Sequence, residues 1–346
     1  MKRIPLLTCF ALPLHLLAQD STMNSLTKDM NVPTVQQKPA VKIFSSQRSI
    51  LANTTEMVGA GKMDFKVTHY FDDIDGHGAS VVSRFLGLDN ARDVRIGFHF
   101  GITKNFDVMV ARAKGAGAVT NNASGSVLRI FELAAKYRFM EQREKDPSHP
   151  LAIALFASNC ISSVKATPPP NTNFENSFVT FADRMMQTVQ LIIARKFGPI
   201  SVQLNPTFVH TDFVVQGDEN NMFALGGAVR LPLTPRFAFV VDYFHPFRSA
   251  ESKQFFNTVD NNYNTNPNNG PIDLTINSVP FKFYDPLGLG VEITTAGHVF
   301  SLNFTNAVEI LDNRFIRFTT KSWTKGQWRW CFTISRKFVI WRPKTA

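Results

Sequence analysis

The 346-residue chain is short of charge: Asp, Glu, Lys and Arg make up 18% of it, against roughly 25% in an ordinary globular protein. Tyrosine (5), tryptophan (4) and cysteine (3) are scarce too. After Cys9 only Cys160 and Cys331 remain, far apart, with no C-x-x-C or C-x-x-C-H spacing. That excludes a disulfide framework, a cysteine zinc site and haem attachment. Beyond the first residues there is no apolar run near the ~20 residues of a membrane helix, which excludes a helical membrane protein. No G-x-S-x-G, H-E-x-x-H, P-loop or dinucleotide fingerprint occurs, so the common signatures of hydrolases and nucleotide enzymes are missing.

Phenylalanine is abundant, at 32 residues, and hydrophobic residues reach 44%, while mean hydropathy is only −0.08. Low charge with this much Phe argues against disorder. Two classes survive: a soluble β-rich protein, or a membrane β-barrel whose apolar residues are diluted by alternation.

Residues 1–19 have the layout of a removable export signal, with Lys2 and Arg3, an apolar stretch from Ile4 to Leu17, and small Ala18. Cleavage after Gln19 removes two basic residues and no acidic one, taking the net charge from +10 to +8. A lipid anchor at Cys9 is rejected, because few apolar residues precede it and the apolar stretch continues beyond it. Residues 20–40 are polar and aperiodic and read as a flexible periplasmic segment. Val41 to Ala60 is ambiguous, either a short extra strand or a cover for one end of the structure.

From Lys62 onward the pattern has period two, the mark of strands with two different faces. Twelve strands are expected, at 62–71, 93–102, 106–113, 127–139, 151–161, 182–197, 200–210, 221–231, 236–245, 285–294, 298–306 and 326–338. Most approach the ~9–11 residues that cross a bilayer as tilted barrel strands. Connections after even strands are short, with turn formers such as Gly198-Pro199 and Thr295-Ala296-Gly297, and those after odd strands are long. An up-and-down barrel at residues 41–346 places its tight turns on the periplasmic side and its long loops outside. A soluble sandwich has no reason to keep that phase.

One face of each strand carries large apolar residues, as in Val94, Ile96, Phe98 and Phe100, or Phe300, Leu302 and Phe304. The other mixes small and polar residues and is too poor in charge for a normal solvated surface. Large residues facing lipid therefore fit best. On that apolar face the charges are Arg112, Arg195 and Arg336, all near strand ends. By parity the lumen-facing candidates are Lys66, Asp93, Arg95, His99, Glu132, Lys136, Arg138, Arg230, Asp242, Glu292 and Arg329, with Asp64, Asp107, Lys196 and Lys337 on the same side.

Several stretches carry a family resemblance: Phe85-Leu86-Gly87-Leu88-Asp89-Asn90-Ala91 running into Val94-Arg95-Ile96-Gly97-Phe98, then Gly297-His298-Val299-Phe300-Ser301-Leu302, and the closing Phe332-Thr333-Ile334-Ser335-Arg336-Lys337-Phe338. They resemble a family of uncharacterised Bacteroidota outer-membrane β-barrel proteins, over roughly Val41 to Phe338. Cys331 and Thr333 stand where that family more often has Gly and Asn, and Tyr70 and Asp72 replace its Arg and Gly after His69. The resemblance implies a closed antiparallel barrel in the cell outer membrane and no assigned activity.

Asp72-Asp73-Ile74-Asp75-Gly76-His77-Gly78 gathers carboxylates, but the twelve-residue calcium spacing is absent and a solvated acidic turn is the reading. His99 and His298 are the candidate bases for an outer-membrane hydrolase, with many Ser available, but histidines in a barrel are more often lumen or rim packing, and an enzyme is the least favoured reading. No catalytic residue, metal or cofactor is expected. Basic residues are scattered over strand ends, lumen and loops, so no nucleic-acid partner is expected. The expected partners are outer-membrane lipid and a small solute passed or bound in the lumen. A barrel acting structurally through long loops, especially 246–284, is the alternative. The mixed inward charge is equally consistent with an open pore and with an ion-pair network closing a narrow lumen.

Overall fold

The computed structural model describes residues 38–74, 85–89, 91–115, 128–166, 176, 178–214, 217–256 and 282–342. The expected export signal, residues 20–37, and the loop positions Asp75, Gly76, His77 and Gly78 lie outside them. Twelve antiparallel strands form one closed barrel in which each pairs with its sequence neighbours and β1 pairs with β12. They are β1 (Lys62–Asp73), β2 (Ala91–Gly101), β3 (Phe106–Gly115), β4 (Leu128–Met140), β5 (Ala152–Ser162), β6 (Met185–Phe197), β7 (Ile200–Thr211), β8 (Asn221–Pro232), β9 (Phe237–Phe247), β10 (Leu287–Thr294), β11 (His298–Thr305) and β12 (Arg329–Val339). The closing pair runs from Lys62↔Val339 through Val67↔Ile334 to Tyr70↔Cys331 before a bulge. The expected strands and their phase are present. The differences are at the ends: 182–184 is a 3-10 turn ahead of β6, and β10 and β12 begin two to three residues later than the alternation suggests.

The faces sort by solvent. Outside, Leu133 is 49% exposed and Leu204 55%, values that a water-facing surface of this density of Phe and Leu would not tolerate. The three outward arginines each lie over a neighbouring ring: Arg112 at 4.0 Å from Phe131, Arg195 at 4.6 Å from Phe197, and Arg336 at 5.0 Å from Phe338. Stacking on an aromatic face offsets part of the desolvation of a guanidinium near the membrane interface.

Inside, the barrel is full. An eight-stranded barrel is filled by its own side chains, and twelve strands enclose more width than side chains span. Two pieces of chain make up the difference. Residues 40–60 enter from the end with the short turns, where Val41 N–H donates to the carbonyl of Gln142. The connection between β11 and β12 folds in from the other end and carries a short helix, Asp312–Phe318, every residue of which is buried. Residues 40–60 therefore make no barrel strand; among the described residues their only ladder contacts are the isolated bridges Ala40↔Arg143 and Arg48↔Asn53. They fill the lumen instead of covering one end of it. The small residues of the inner face leave the room. A Cβ on Gly101 would meet the carbonyl oxygen of Gly59 at 2.0 Å, and one on Gly288 would meet the Ile50 side chain at 2.9 Å.

A charge placed outward at mid-strand tests the orientation. Leu133→Arg in β4 is expected to cost about 2–4 kcal/mol at the bilayer midplane, read as a lowered urea midpoint for the barrel folded in lipid vesicles. An unchanged midpoint would mean that this face does not see lipid.

Candidate functional site: the occupied lumen

The inner wall divides into two sectors. On β1 to β4 and on β12 it carries buried charge, including Asp64, Lys66, Asp93, Arg95, Asp107, Glu132, Lys136 and Arg329. On β5 to β7 it is mainly neutral and polar, through Ser158, Thr188, Gln190, Ser201, Gln203, Asn205 and Thr207. Small and apolar residues of β5 to β9, among them Ala194, Val209, Ala224, Val240 and Phe244, form one cluster with Ile43, Phe44, Ile50 and Leu51 of the inserted segment.

Asp242, from the middle of β9, anchors the tip of that segment. Its carboxylate accepts from the backbone N–H groups of Ile50 (2.9 Å), Leu51 (2.7 Å) and Ala52 (2.8 Å) and from Ser49 Oγ (2.8 Å). Successive N–H groups turned toward one point make an anion-binding concavity, and here the wall supplies the anion. Asp93 does the same on β2 for the other intruder, accepting from the N–H of Ile310 at 2.9 Å. The two intruders then join each other. Arg48 pairs with Asp312 at 3.1 Å and donates to the Ile310 carbonyl at 2.9 Å, while Asn53 Nδ2 donates to Asp312 at 3.1 Å.

The remaining lumen candidates hold wall or segment. Lys136 donates to the carbonyls of Thr54 (3.1 Å) and Glu56 (2.5 Å), and Lys66 Nζ lies 3.5 Å from Ser46 Oγ. Arg95 pairs with Glu132, and Arg230 with Glu292, both at 2.8 Å. Arg329 donates to the Phe71 carbonyl at 3.2 Å. Arg138 sits at the turn end and reaches Asn105 and Glu141 at 3.2 Å. His99 faces a small void between segment and wall that Gln47, Asn53, Asp107 and Lys136 also line. Of the acidic run, Asp72 lies 3.7 Å from Arg92 and Asp73 lies 3.7 Å from Lys321. His298 stacks on Phe300, with ring centroids 5.5 Å apart. Among the described residues no group of three or more His, Cys, Asp and Glu could hold a metal ion.

Ser49, Arg48, Asn53 and Asp312 are the functional contacts that alternation does not reveal, because neither intruder is a strand. Two short apolar pairs, Ile43-Phe44 and Ile50-Leu51, set in a polar stretch, are the signal that this segment is buried.

The sequence comparison adds the family. Residues 44–338 match the family described as "Membrane bound beta barrel domain (DUF5777)". The chain belongs to that family. No curated protein matches it in sequence. Among solved structures it is similar to the COG4313 outer membrane channel from Pseudomonas putida F1, at 12% identity and TM-score 0.43, over 82% of this chain and 98% of that one. It is also similar to KdgM porin (8%, 0.40, 80% and 99%) and to outer membrane phospholipase A from Escherichia coli (9%, 0.36, 79% and 92%). These are likenesses only; the barrel itself is established by the strand pairing.

At the end with the long loops, three connections are tied by one carboxylate. Asp218, after β7, accepts from Arg248, after β9, at 2.6 Å and from Arg317 of the inward helix at 2.8 Å, with Ser252 Oγ donating at 2.7 Å. Burial raises the proton affinity of Asp218, but the two guanidiniums outweigh it and hold the group below the usual carboxylate range. Burial pushes Arg248 down to about 10, which leaves it charged at neutral pH. Because the folded value of Asp218 lies below the unfolded one, the clasp stabilises fully above the ordinary Asp range near ~4 and is lost as pH falls through the folded value.

Two outcomes are expected. Asp242→Ala strips the acceptor from four donors, each worth about 1–3 kcal/mol if left unsatisfied, and makes residues 40–60 cleavable by protease in the folded barrel. Digestion confined to the outer connections, 212–220 and 248–256, should appear below about pH 4 and should appear at pH 7 in Asp218→Asn. Equal cleavage of wild type and variant at pH 7 would contradict the clasp.

Proposed function

We propose that this chain is an outer-membrane barrel that passes a small hydrophilic solute through its lumen when residues 40–60 withdraw toward the end with the short turns and the inward helix, Asp312–Phe318, withdraws toward the other. The observation that supports it is the polarity of the wall behind the segment. Gln190, Gln203, Asn205 and Thr207 are buried under the segment yet hydrophilic, and they would face water at little cost once uncovered. Gln203 and Asn205 donate to the Asn53 carbonyl, each at 2.9 Å, bonds that water replaces readily.

Withdrawal also uncovers Ile43, Phe44, Ile50 and Leu51, all buried. At about 1.5–3 kcal/mol for each large apolar side chain, the cost is on the order of 6–12 kcal/mol. The resting barrel is therefore closed, and opening needs a partner or a bound solute to offset that cost. The reading assigns no reaction. His99 lies among lumen groups without a bonded nucleophile among the described residues, and His298 is stacked outside the lumen. A second reading, surface interaction through the long connections, is favoured by the Asp218 clasp, which fixes the roots of three of them.

Planar-bilayer recording separates the two. The intact folded barrel should carry no steady current, and a chain lacking residues 40–58 with the inward stretch 308–318 replaced by a short polar linker should give discrete conductance steps. A shortened chain that folds, by heat-modifiable gel mobility, and stays silent would sink the passage reading and leave surface interaction.

A further inference from the structure

We infer that the lipid-facing surface of β3 and β4 holds a docking site for a phosphorylated lipid of the outer leaflet, one whose headgroup carries a phosphate monoester. The inference rests on the outer-membrane reading and not on passage, so a barrel that never conducts keeps the site.

The outward face of β4 runs from Arg129 through Phe131, Leu133, Ala135 and Tyr137 to Phe139. A rise of ~3.4 Å per residue and a tilt of about 40° put Phe131 and Phe139 on the order of 21 Å apart along the membrane normal, close to the ~25 Å apolar band of such barrels. Tyr137 and Phe139, with ring centroids 5.0 Å apart, mark the border at the end with the short turns. Arg129 therefore stands just past the opposite border, at the height of the lipid headgroups on the side of the long loops.

There the register brings cations together. Lys114 of β3 is directly opposite Arg129, and Arg112 is directly opposite Phe131, which makes Arg112 the diagonal neighbour of Arg129 on the same outward face. Directly opposed side chains have Cβ atoms ~4.5–5.5 Å apart and diagonal ones roughly 7–8 Å, and like charges so placed repel. Among the described residues no carboxylate pairs with any of the three. Asp93 of the neighbouring β2, Asp107 and Glu132 are buried on the inner face, and the connection between β3 and β4, residues 116–127, contains neither Asp nor Glu. Arg112 lies 4.0 Å from the ring of Phe131 with its Nη1 covered, so it adds charge and not a hydrogen bond. Lys114 and Arg129 are exposed and supply the donors.

A phosphate monoester carries about −1.5 to −2 charge at neutral pH and three strong acceptor oxygens, which relieves the repulsion while the acyl chains lie along exposed Ile96, Val110 and Leu133. A zwitterionic headgroup would bring a further cation to the cluster, and free phosphate would forgo the apolar face. The outer ends of β5 to β8 offer no such patch: Gln187 bonds to Asn159 and Asp212, and His210 to Asn221.

The test uses the full-length barrel folded in dodecyl maltoside micelles, with phosphatidic acid as probe and phosphatidylcholine of the same acyl chains as control. Native mass spectrometry counts the retained lipid, and heat-modifiable gel mobility identifies folded variants. Phosphatidic acid should be held on the order of tenfold more tightly than phosphatidylcholine, and Lys114→Gln with Arg129→Gln should lose about tenfold or more of that affinity. Lys114→Arg with Arg129→Lys, which keeps both charges, should stay within a few-fold of wild type. Arg195→Gln with Arg336→Gln, outward arginines at the opposite end, should change nothing, and excess inorganic phosphate should not displace the lipid. Equal retention of the two lipids, retention of neither, full retention in the doubly neutralised variant, or displacement by inorganic phosphate would overturn the site.

Discussion

The interior depends on one buried anion. Asp242 stands in the middle of β9 with its carboxylate away from bulk water, a position whose desolvation cost is several kcal/mol unless donors surround it. The turn Ser49–Ala52 supplies four donors to it. The dependence is mutual, since three consecutive N–H groups with no carboxylate would be equally costly inside a barrel. Once the turn is fixed, Arg48 is placed to reach Asp312 and the Ile310 carbonyl, and the inward loop is held in turn by Asp93. A chain of hydrogen bonds centred on one ion pair thus runs from Asp242 on β9, through two inserted segments, to Asp93 on β2.

The same constraint explains the distribution of residue types. Twelve strands make a cylinder too wide to fill with side chains and narrow enough to be filled by two passes of chain. Glycine and alanine on the inner face are where the inserted backbone comes close, as at Gly101 against Gly59. The large apolar residues go outward because the solvent there is hydrocarbon. Mean hydropathy near zero is then the average of two surfaces, each unlike a soluble protein's.

Much of this was legible in the sequence, and the reason is local. Alternation such as Ile200, Val202 and Leu204 against Ser201, Gln203 and Asn205 fixes both strand and face, and an antiparallel up-and-down order needs no long-range information beyond the phase of the connections. The connection between β11 and β12 is the counter-example. The apolar pairs Ile310-Leu311 and Phe315-Ile316 mark it as buried, but not as entering the lumen, because that is decided by Asp93, Arg48 and the width of the barrel, all distant in sequence. Segment 41–60 escaped for the same reason: its partners are on β1, β3, β4, β7, β9 and β10, and a polar stretch can be buried when a wall of polar groups receives it. Parity placed the wall charges, but whether they line a channel or bind chain depends on what fills the lumen.

Amide hydrogen exchange of the intact barrel in micelles reads the central claim most directly. If Asp242 holds residues 49–52 in a filled lumen, the amides of Ile50, Leu51 and Ala52 should exchange as slowly as those of the neighbouring strands. Exchange of those three amides at the rate of free peptide would contradict it.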